Sequence, residues 1–558
     1  MNEAAMMEQP RYLLDLPQEL LLSMVDYIQS KRDLYNVART CRGLENVCMK
    51  RLYGNVALSD QEPPTHSTTL IRSHVVRAVS ELTIYNGRYN ARRAKPKAFP
   101  PHGSSAFDQK LLQTLKAVPS NNLRAFSSYH DTPVSEGYLE LLAARQNQSL
   151  RHLRVYELCA SLTESFILPN RLTVFECCSI GDGKLVWDLI RMNGSSLRRL
   201  RLGQEKQLLQ QYSPRGHGMM EPLPSAESGL LQPAILTQLP QLEELELVGL
   251  DLRPLFPENI QEGLTLCNLT RVSVQSCSGA DVFLRTLAEV FNFAQDSTQG
   301  LDTHSTIKLK HFSLRTEAPT SELKRSLTAL LSSFTGLESL SLLFENGSVL
   351  ERVSTLLGEH GPTLRTLALE SRIQSRDNLG LDTSRAFGSG GYSQELWERS
   401  MHEICQLCPS LVELGFSFPW DDELVRLRKT PLPTLTQLKT IHIRNFPENR
   451  ALSQVGDYTI KEYAHKFIDW VFPTLVGGQR PALETLAIGP TLYESRMRRP
   501  VSGRDLPEFK QTHFFGVDWA MTRFLRWNSM VSPVSERYME EFREERPLEG
   551  VFEQVWLK

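Results

Sequence analysis

The stretch Leu242-Glu243-Glu244-Leu245-Glu246-Leu247 decides the fold of this chain, because its arrangement of apolar residues recurs along most of the sequence. An apolar residue is followed by two variable positions, a second apolar residue, one variable position and a third apolar residue. Ten clear copies begin at Leu150, Leu197, Leu242, Leu269, Leu309, Leu337, Leu364, Leu411, Leu438 and Leu483. Three looser copies begin at Val79, Leu123 and Leu172.

The spacing of the copies indicates a repeat in which a strand alternates with a helix. Successive copies begin 22 to 28 or 40 to 47 residues apart, and we interpret the longer intervals as single repeats with an insertion of about twenty residues. The last two apolar residues of a copy lie two positions apart, so in a strand both face the same side. The segment before Leu309 has apolar residues at helical spacing, namely Val282, Leu284, Leu287, Val290 and Phe291.

Units of this kind cannot bury their apolar faces alone, so neighbouring units must stack into a solenoid. The pattern resembles the leucine-rich-repeat family, in its longer helix-containing class, across residues 75–490. That resemblance implies an α/β horseshoe solenoid with a parallel sheet; the alternative is an ordinary α/β protein with Leu-rich strands. The family often has Asn or Cys three residues after the last apolar position, whereas this chain has Cys only at Cys277. We therefore expect no regular asparagine ladder.

Residues 13–55 do not follow the repeat and predict a small all-α module. Leu20, Leu21, Met24, Val25 and Ile28 form one apolar stripe after Pro17, which suits a helix start. Asp33 is predicted to cap a second helix, whose stripe comprises Leu34, Val37, Ala38, Cys41, Leu44 and Val47. About forty residues barely bury a core of their own, so we expect the module to complete its burial on a partner.

The same residues resemble an F-box, the segment that docks on the Skp-type adaptor of cullin-RING ubiquitin ligases. The likeness rests on Leu16-Pro17-Gln18-Glu19-Leu20-Leu21, Asp33-Leu34, Thr40-Cys41-Arg42 and Leu52-Tyr53. The Trp that usually follows the Cys-Arg pair is missing. The resemblance implies docking through six residues, Leu16, Pro17, Leu20, Leu21, Val25 and Ile28. The alternative is a helical cap over the first repeat, and both roles are compatible.

Charged residues at the outward strand positions suggest where a target protein could bind. Arg154, Arg199 and Arg201 form a cationic column in the early repeats, followed by an acidic step at Glu244 and Glu246. Arg makes bidentate contacts with carboxylate and phosphate groups. We therefore expect an acidic or phosphorylated peptide near the three arginines, with solvated charges that bind no ligand as the alternative.

The composition limits the classes of function. The chain has 558 residues, with 62 Lys and Arg against 64 Asp and Glu and a net charge of −2, so no general affinity for nucleic acid is expected. No apolar stretch is long enough for a membrane helix, and the first residues do not form a secretion signal. Nine cysteines without a scaffold pattern fit a cytoplasmic or nuclear protein.

The motifs of catalysis and metal binding are weak. Cys405-Gln406-Leu407-Cys408 is the one Cys-x-x-Cys pair, and we interpret it as the end of a repeat helix. We expect no metal, no cofactor and no catalytic residue, and a self-contained enzyme is the weaker alternative. Three further segments have predicted roles: a disordered N-terminus at 1–12, a basic loop at 88–97, and an aromatic cap or tail at 491–558.

The predicted function is that of an F-box receptor, whose solenoid holds a target protein for ubiquitination by other subunits of the ligase. The partners implied are the Skp-type adaptor, the cullin and an unknown target protein, without membrane or nucleic acid. The alternative is a leucine-rich-repeat scaffold outside any ligase, in which the N-terminal helices act as a cap.

Overall fold

The computed structural model describes the following residues: 13, 16–28, 30–59, 74–85, 105–129, 134, 136–158, 169–180, 183–204, 235–253, 260–298, 307–316, 319–345, 353–372, 394–417, 430–444, 454–455, 458–472, 480–489, 512–522 and 527–534. The chain folds as two compact units, Met1–Leu202 and Gly203–Lys558. The segments 1–12 and 88–97, with their predicted disorder and basic loop, lie outside the described residues.

In the part of the first unit that the structure describes, six parallel strands lie side by side in chain order. They are β1 (Asn55–Ser59), β2 (Glu81–Tyr85), β3 (Ala125–Tyr129), β4 (His152–Glu157), β5 (Val174–Ser179) and β6 (Arg199–Gly203). Its helices are α1 (Gln18–Asp26), α2 (Lys31–Ala38), α3 (Arg42–Tyr53), α4 (Ser105–Ala117), α5 (Glu136–Gln146) and α6 (Gly183–Met192), with a 3₁₀ helix at His74–Ala78.

The described residues of the second unit have the same design, with eight parallel strands in chain order. They are β7 (Glu244–Val248), β8 (Arg271–Gln275), β9 (His311–Thr316), β10 (Ser339–Glu345), β11 (Thr366–Arg372), β12 (Glu413–Phe416), β13 (Thr440–Ile443) and, after the short hairpin β14 (Gln454–Val455) and β15 (Tyr458–Thr459), β16 (Thr485–Ile488). Two antiparallel strands follow, β17 (His513–Met521) and β18 (Trp527–Pro533).

The described residues of the second unit form five α-helices. They are α7 (Ala280–Thr298), α8 (Ser321–Ser332), α9 (Val353–Leu357), α10 (Gln394–Leu407) and α11 (Ile460–Val471), with 3₁₀ helices at Ile235–Gln238, Ile260–Asn268 and Leu432–Thr434. The helix α7 contacts α8, α8 contacts α9, and α9 contacts α10. The protein is thus α/β, with a mostly parallel sheet that alternates with helices, and this arrangement is compatible with stacked repeats. No described helix is both long and apolar enough to cross a membrane.

The repeat frame predicted from the sequence is confirmed at every copy. In each of the thirteen copies, a strand begins two residues after the first apolar residue, as at Glu244 after Leu242. The first apolar residue of each copy is at most 1% exposed, because its side chain packs into the core at the turn before the strand. Leu245 and Leu247 of β7 are buried, whereas Glu244 and Glu246 are partly exposed, so the strand alternates as predicted.

The N-terminal module consists of three helices with a small core. Leu21, Val25, Leu34, Val47 and Cys48 are buried together. The predicted cap of the second helix is wrong, because α2 begins at Lys31 and its N-cap is Ser30. The Ser30 side chain accepts a hydrogen bond from the Asp33 backbone N–H at 3.3 Å, so Asp33 lies inside the first turn.

Buried polar side chains tie each of three turns to the preceding repeat. Gln146 Oε1 accepts the backbone N–H groups of Asn122 and Leu123 at 3.0 Å. Asn193 Oδ1 accepts the Leu172 N–H at 2.7 Å. The sequence shows Gln146-x-x-Ser149-Leu150, Asn193-x-x-Ser196-Leu197 and His360-x-x-Thr363-Leu364 at equivalent places. We call this set the turn clamp.

The hydroxyl three residues later completes the turn clamp. Ser149 Oγ donates to Leu123 O at 2.8 Å, and Ser196 Oγ donates to Leu172 O at 2.8 Å. Thr363 Oγ1 donates to Leu337 O at 2.7 Å. Each carbonyl belongs to the first apolar residue of the preceding copy. Each repeat therefore satisfies backbone groups at the start of the preceding strand that would otherwise be buried and unpaired.

The C-terminal residues extend the sheet beyond the repeat frame. Strand β17 pairs antiparallel with β16, with Phe515 opposite Leu486. Phe514, Phe515 and Trp519 are buried, and Trp519 Nε1 donates to Leu483 O at 2.7 Å. Within the aromatic cap or tail predicted at 491–558, Trp527 lies in β18, whereas Phe524, Phe552 and Trp556 lie outside the described residues.

Candidate functional site

The helix α1 presents an apolar face to solvent. Leu20, Met24 and Tyr27 are 52%, 48% and 87% exposed, respectively. They lie four and three residues apart, so they share one side of the helix and its C-terminal turn. We call them the α1 face. Large apolar side chains grouped in this way are typical of a surface that binds a protein partner.

The structure divides the six residues that were predicted to dock an adaptor. Leu20 and Pro17 are exposed, whereas Leu21 and Val25 are buried in the core of the module. Leu16 and Ile28 are half-buried and pack against that core. The docking role of the six residues stays a prediction. Leu20 and Pro17 are the two of them that are exposed and can contact a partner directly.

The apolar stripe predicted from the sequence did not separate exposed from buried residues, because it included residues from both sides of the helix. Five apolar residues between Leu20 and Ile28 were taken as one face, yet α1 turns Leu21, Val25 and Ile28 inward and Leu20 and Met24 outward. Tyr27 was not predicted. The signal that could have found it is the i, i+4, i+7 spacing from Leu20.

The module is fixed to the first repeat through α3. Gly54, which follows this helix, accepts the backbone N–H groups of Ser80 and Glu81 at 2.8 Å through its carbonyl oxygen. Arg51 Nη1 donates to Val25 O at 2.8 Å and to Asp26 Oδ1 at 3.1 Å, which satisfies carbonyl and carboxylate groups at the C-terminal end of α1. The α1 face is therefore held in a defined orientation within the first unit.

A second candidate surface lies on the face of the first unit's sheet that points away from the apolar core. Arg154, Glu176 and Arg201 occupy one row across β4, β5 and β6. Arg154 Nη1 donates to Glu176 Oε2 at 2.9 Å, and the Arg154 guanidinium lies 4.1 Å from the centre of the Tyr129 ring. Arg154 is thus held between an aromatic ring and a carboxylate.

The neighbouring row brings two more side chains to the same carboxylate. Arg199 Nε lies 3.4 Å from Glu176 Oε1, and His152 Nε2 lies 3.9 Å from the same oxygen. Val174 stands between His152 and Arg199 in this row. We call His152, Arg154, Glu176, Arg199 and Arg201 the arginine cluster.

The charges of the arginine cluster set its protonation. Burial alone would raise the pKa of the Glu176 carboxyl, but Arg154, Arg199, Arg201 and His152 outweigh burial and hold that pKa below its ordinary value. Burial lowers the pKa of His152; Glu176 and Glu81 oppose this shift, and Arg199 and Arg154 add to it. Glu176 is therefore ionised and His152 neutral near pH 7.

The structure brings together all three arginines that were predicted to bind a target. Arg154 and Arg201 are buried, and only Arg199 has a substantially exposed side chain, at 43%. Sequence reasoning missed Glu176 because it belongs to the looser copy that begins at Leu172, whose outward positions were not read. The register between β4, β5 and β6 would have placed it between Arg154 and Arg201.

On the equivalent face of the second unit, the polar side chains of Glu370, His442 and Arg444 are buried. Arg444 and Glu370 form a buried ion pair, and burial lowers the pKa of Arg444 to about 9. His442 shares a hydrogen bond of 2.8 Å between Nε2 and Gly489 O. These groups support the structure of β11, β13 and the end of β16 rather than offering a free surface.

The cysteine pair of the sequence lies where a helix ends. Helix α10 ends at Leu407, as predicted, and Cys405 and Cys408 are both buried. Burial raises the pKa of each thiol to about 12, so both are protonated at neutral pH. Within the described residues, no group of three or more His, Cys, Asp or Glu side chains could hold a metal ion.

A comparison with the models of known protein families gives no match to this chain. A comparison with curated proteins also finds no similar protein. The geometry of the α1 face and of the arginine cluster is therefore what supports a function.

Proposed function

We propose that this protein is an F-box receptor of a cullin-RING ubiquitin ligase, in which the N-terminal module binds the Skp-type adaptor and a leucine-rich-repeat horseshoe holds a target protein. The single observation that carries the proposal is the α1 face, with Leu20, Met24 and Tyr27 exposed on a module that already has its own small core. A partner that covers these side chains would remove a large apolar area from water.

The repeats support the second half of the proposal. Within each unit, strands in chain order with helices between them give a row of outward side chains that a target protein would contact. The chain would supply proximity, holding the target near a ubiquitin-carrying subunit that performs the chemistry. Such an assembly belongs in the cytoplasm or the nucleus.

The test is capture of the purified Skp-type adaptor and cullin by the full chain and by a Leu20→Asp variant. Leu20 is exposed, so a carboxylate there leaves the core intact but places a charge in the interface. We expect at least a tenfold loss of adaptor affinity, because a buried unpaired charge costs several kcal/mol. Leu21→Asp is unsuitable, since Leu21 lies in the core.

The matched control is Met192→Asp. Met192 is the last residue of α6 and is 46% exposed, close to the exposure of Leu20. We expect adaptor capture by this variant to equal that of the wild type. If the wild-type chain captures no adaptor, or if both variants lose it equally, the ligase proposal is wrong.

A second candidate function is favoured by the contact between the module and the sheet. The bonds from Ser80 and Glu81 to Gly54, and the packing of α3 on β1, are what a cap over the first repeat requires. In that case the protein is a leucine-rich-repeat scaffold outside any ligase. Deletion of α1 and α2 would then lower the unfolding temperature of the repeats without altering capture of any ligase subunit.

A further inference from the structure

We propose that the outer edge of β1 binds an extended segment of a partner protein, which adds to the sheet of the first unit as a further strand. The segment has apolar side chains at alternate positions. Three features of β1 carry the proposal: the direction of its backbone groups, their exposure to solvent, and the row of apolar side chains that ends there. The proposal does not rest on the proposed function, because a ligase receptor and a scaffold could both use this edge.

The backbone of β1 directs hydrogen-bonding groups away from the sheet. It is the first strand of the sheet, and among the described residues β2 is the strand that pairs with it. The Glu81 backbone N–H donates to Gly54 O at 2.8 Å, so the Gly54 carbonyl faces β2. Successive residues of a strand direct their N–H and C=O groups to opposite sides. The N–H and C=O groups of Asn55 and Ala57 therefore face away from β2, at the outer edge.

Solvent reaches this outer edge. Asn55 and Ala57 are both exposed, and the side chain of Ala57 is a single methyl group, which leaves room beside the backbone for another strand. In the part of the chain that the structure describes, no group bonds to the backbone N–H or C=O of either residue. A row of backbone donors and acceptors of this kind is the feature with which an added strand pairs.

A row of apolar side chains in the core ends at β1. Val56, Leu82, Phe126 and Leu153 lie side by side across β1, β2, β3 and β4. The last three are at most 1% exposed, whereas Val56 is half-buried, because no described strand lies on its other side. An apolar side chain on an added strand would cover Val56. The alternate side chains of that strand would lie beside Ala57 on the opposite face, where small polar residues fit.

The size of the edge favours a segment of a partner protein over a second copy of this chain. Strand β1 has five residues, whereas a stable dimer takes about 20–30 residues from each side. A peptide that adds to a sheet edge relies instead on main-chain hydrogen bonds for affinity and on alternate side chains for specificity.

The experiment is calorimetric titration of the full chain with the peptide acetyl-Lys-Val-Thr-Val-Thr-Val-Lys-amide. Two further peptides have N-methyl groups either on both threonines or on the last two valines. An added strand directs every second N–H towards β1, and the methyl group removes the donor and blocks the approach. We expect one methylated peptide to lose at least about tenfold in affinity and the other to stay within about threefold of the parent. Equal affinities of the two methylated peptides, or no binding of the parent peptide up to about 1 mM, would overturn the proposal.

Two variants at one position test the edge from the side of the protein. Ala57→Pro removes an outward N–H, whereas Ala57→Ser keeps it. The sheet should tolerate this proline, because proline occurs on edge strands where the N–H faces solvent. We expect Ala57→Pro to weaken binding of the parent peptide at least about tenfold and Ala57→Ser to leave it within about threefold of the wild type. Equal affinities of the two variants would show that the peptide does not bind at this edge.

Circular dichroism checks that each variant is folded, and if Ala57→Pro does not fold, the two methylated peptides decide the question on the wild-type chain. Light scattering measures the mass of the wild type and of Ala57→Pro. A wild-type dimer that Ala57→Pro dissociates would mean that a second copy occupies the edge, and the assignment to a partner segment would be wrong. If the wild type binds the peptide but captures no adaptor, the edge site stands and the ligase proposal falls.

Discussion

His360 makes two hydrogen bonds that the amide of a side chain that does not titrate could also make. Its Nδ1 accepts the Leu337 backbone N–H at 3.3 Å, and its Nε2 donates to Leu331 O at 2.8 Å. Gln146 and Asn193 perform the same role in other repeats with an amide, which both donates and accepts. A neutral imidazole does so too, but a protonated one has two donors and cannot accept the Leu337 N–H.

We expect the stability of the second unit to fall as the pH drops below 6.5, in part because of His360. Burial lowers the pKa of His360 from its ordinary 6.5, although its bond to Leu331 O and the nearby Glu359 oppose this shift. The unfolded chain then binds the proton more readily than the folded chain, so the stability present above pH 6.5 is lost on acidification. Urea unfolding midpoints at pH 7.5 and 5.5 measure the loss.

The variant His360→Gln separates titration from hydrogen bonding. At pH 7.5 we expect its free energy of unfolding to stay within about 1 kcal/mol of the wild type, because the amide can make both bonds. Between pH 7.5 and 5.5 it should lose less stability than the wild type. His311 also has a pKa lowered by burial, so part of the slope will remain. An identical slope in the variant would show that His360 does not titrate in this range.

Two consecutive elements approach each other closely where the turn after α9 meets the end of α10. A Cβ atom on Gly361 would lie 2.3 Å from Leu407 O and 2.9 Å from the Leu407 carbonyl carbon. Both contacts are with backbone, which cannot move aside as a flexible side chain can. Glycine is thus required here by the approach of two neighbouring repeats.

We expect Gly361→Ala to destabilise the second unit by about 1–3 kcal/mol, as overpacking in other tightly packed sites does. The measurement is the midpoint of thermal or urea unfolding. The control is Gly137→Ala in α5, where the new Cβ would meet Leu112 Cδ2 at an ordinary 3.6 Å. That variant should be neutral or more stable by up to about 1 kcal/mol, since alanine favours a helix. Equal losses at both positions would contradict this account of Gly361.

At the scale of the whole molecule, the C-terminal strands cover the edge of β16, so that the described sheet ends at β18 instead. Strand β17 pairs with β16 and buries Phe515, Val517 and Trp519. Without them, β16 would present unpaired backbone groups next to exposed apolar side chains. Such an edge is a template for pairing with other chains.

We expect a chain that ends at residue 489 to aggregate, whereas a chain that ends at residue 534 keeps β17 and β18 and stays dispersed. Size-exclusion chromatography with light scattering compares the two at equal concentration. If both chains elute at the mass of a single chain, β17 is not what protects the edge of β16.

The sequence by itself determined the repeat frame. An apolar spacing of three and then two residues forces a strand whose inward side chains must stack, so all thirteen strands begin where that spacing places them. It also predicted a helical N-terminal module and the end of α10 at the cysteine pair. The single second helix that it predicted from Leu34 to Val47 is wrong, because the chain breaks at Cys41 and forms α2 and α3. Local periodicity carries this information because each helix and strand repeats its own geometry.

Only the tertiary structure decided which side chains form the candidate sites. Leu20 and Leu21 are adjacent and equally apolar, but packing against α3 buries one side of α1 and leaves the other in solvent. Glu176 lies 22 residues from Arg154 along the chain, and strand register, which depends on stacking, places it at 2.9 Å. The physical reason is the same in both cases: burial and pairing are set by contacts between distant residues, which the periodicity of a single segment does not contain.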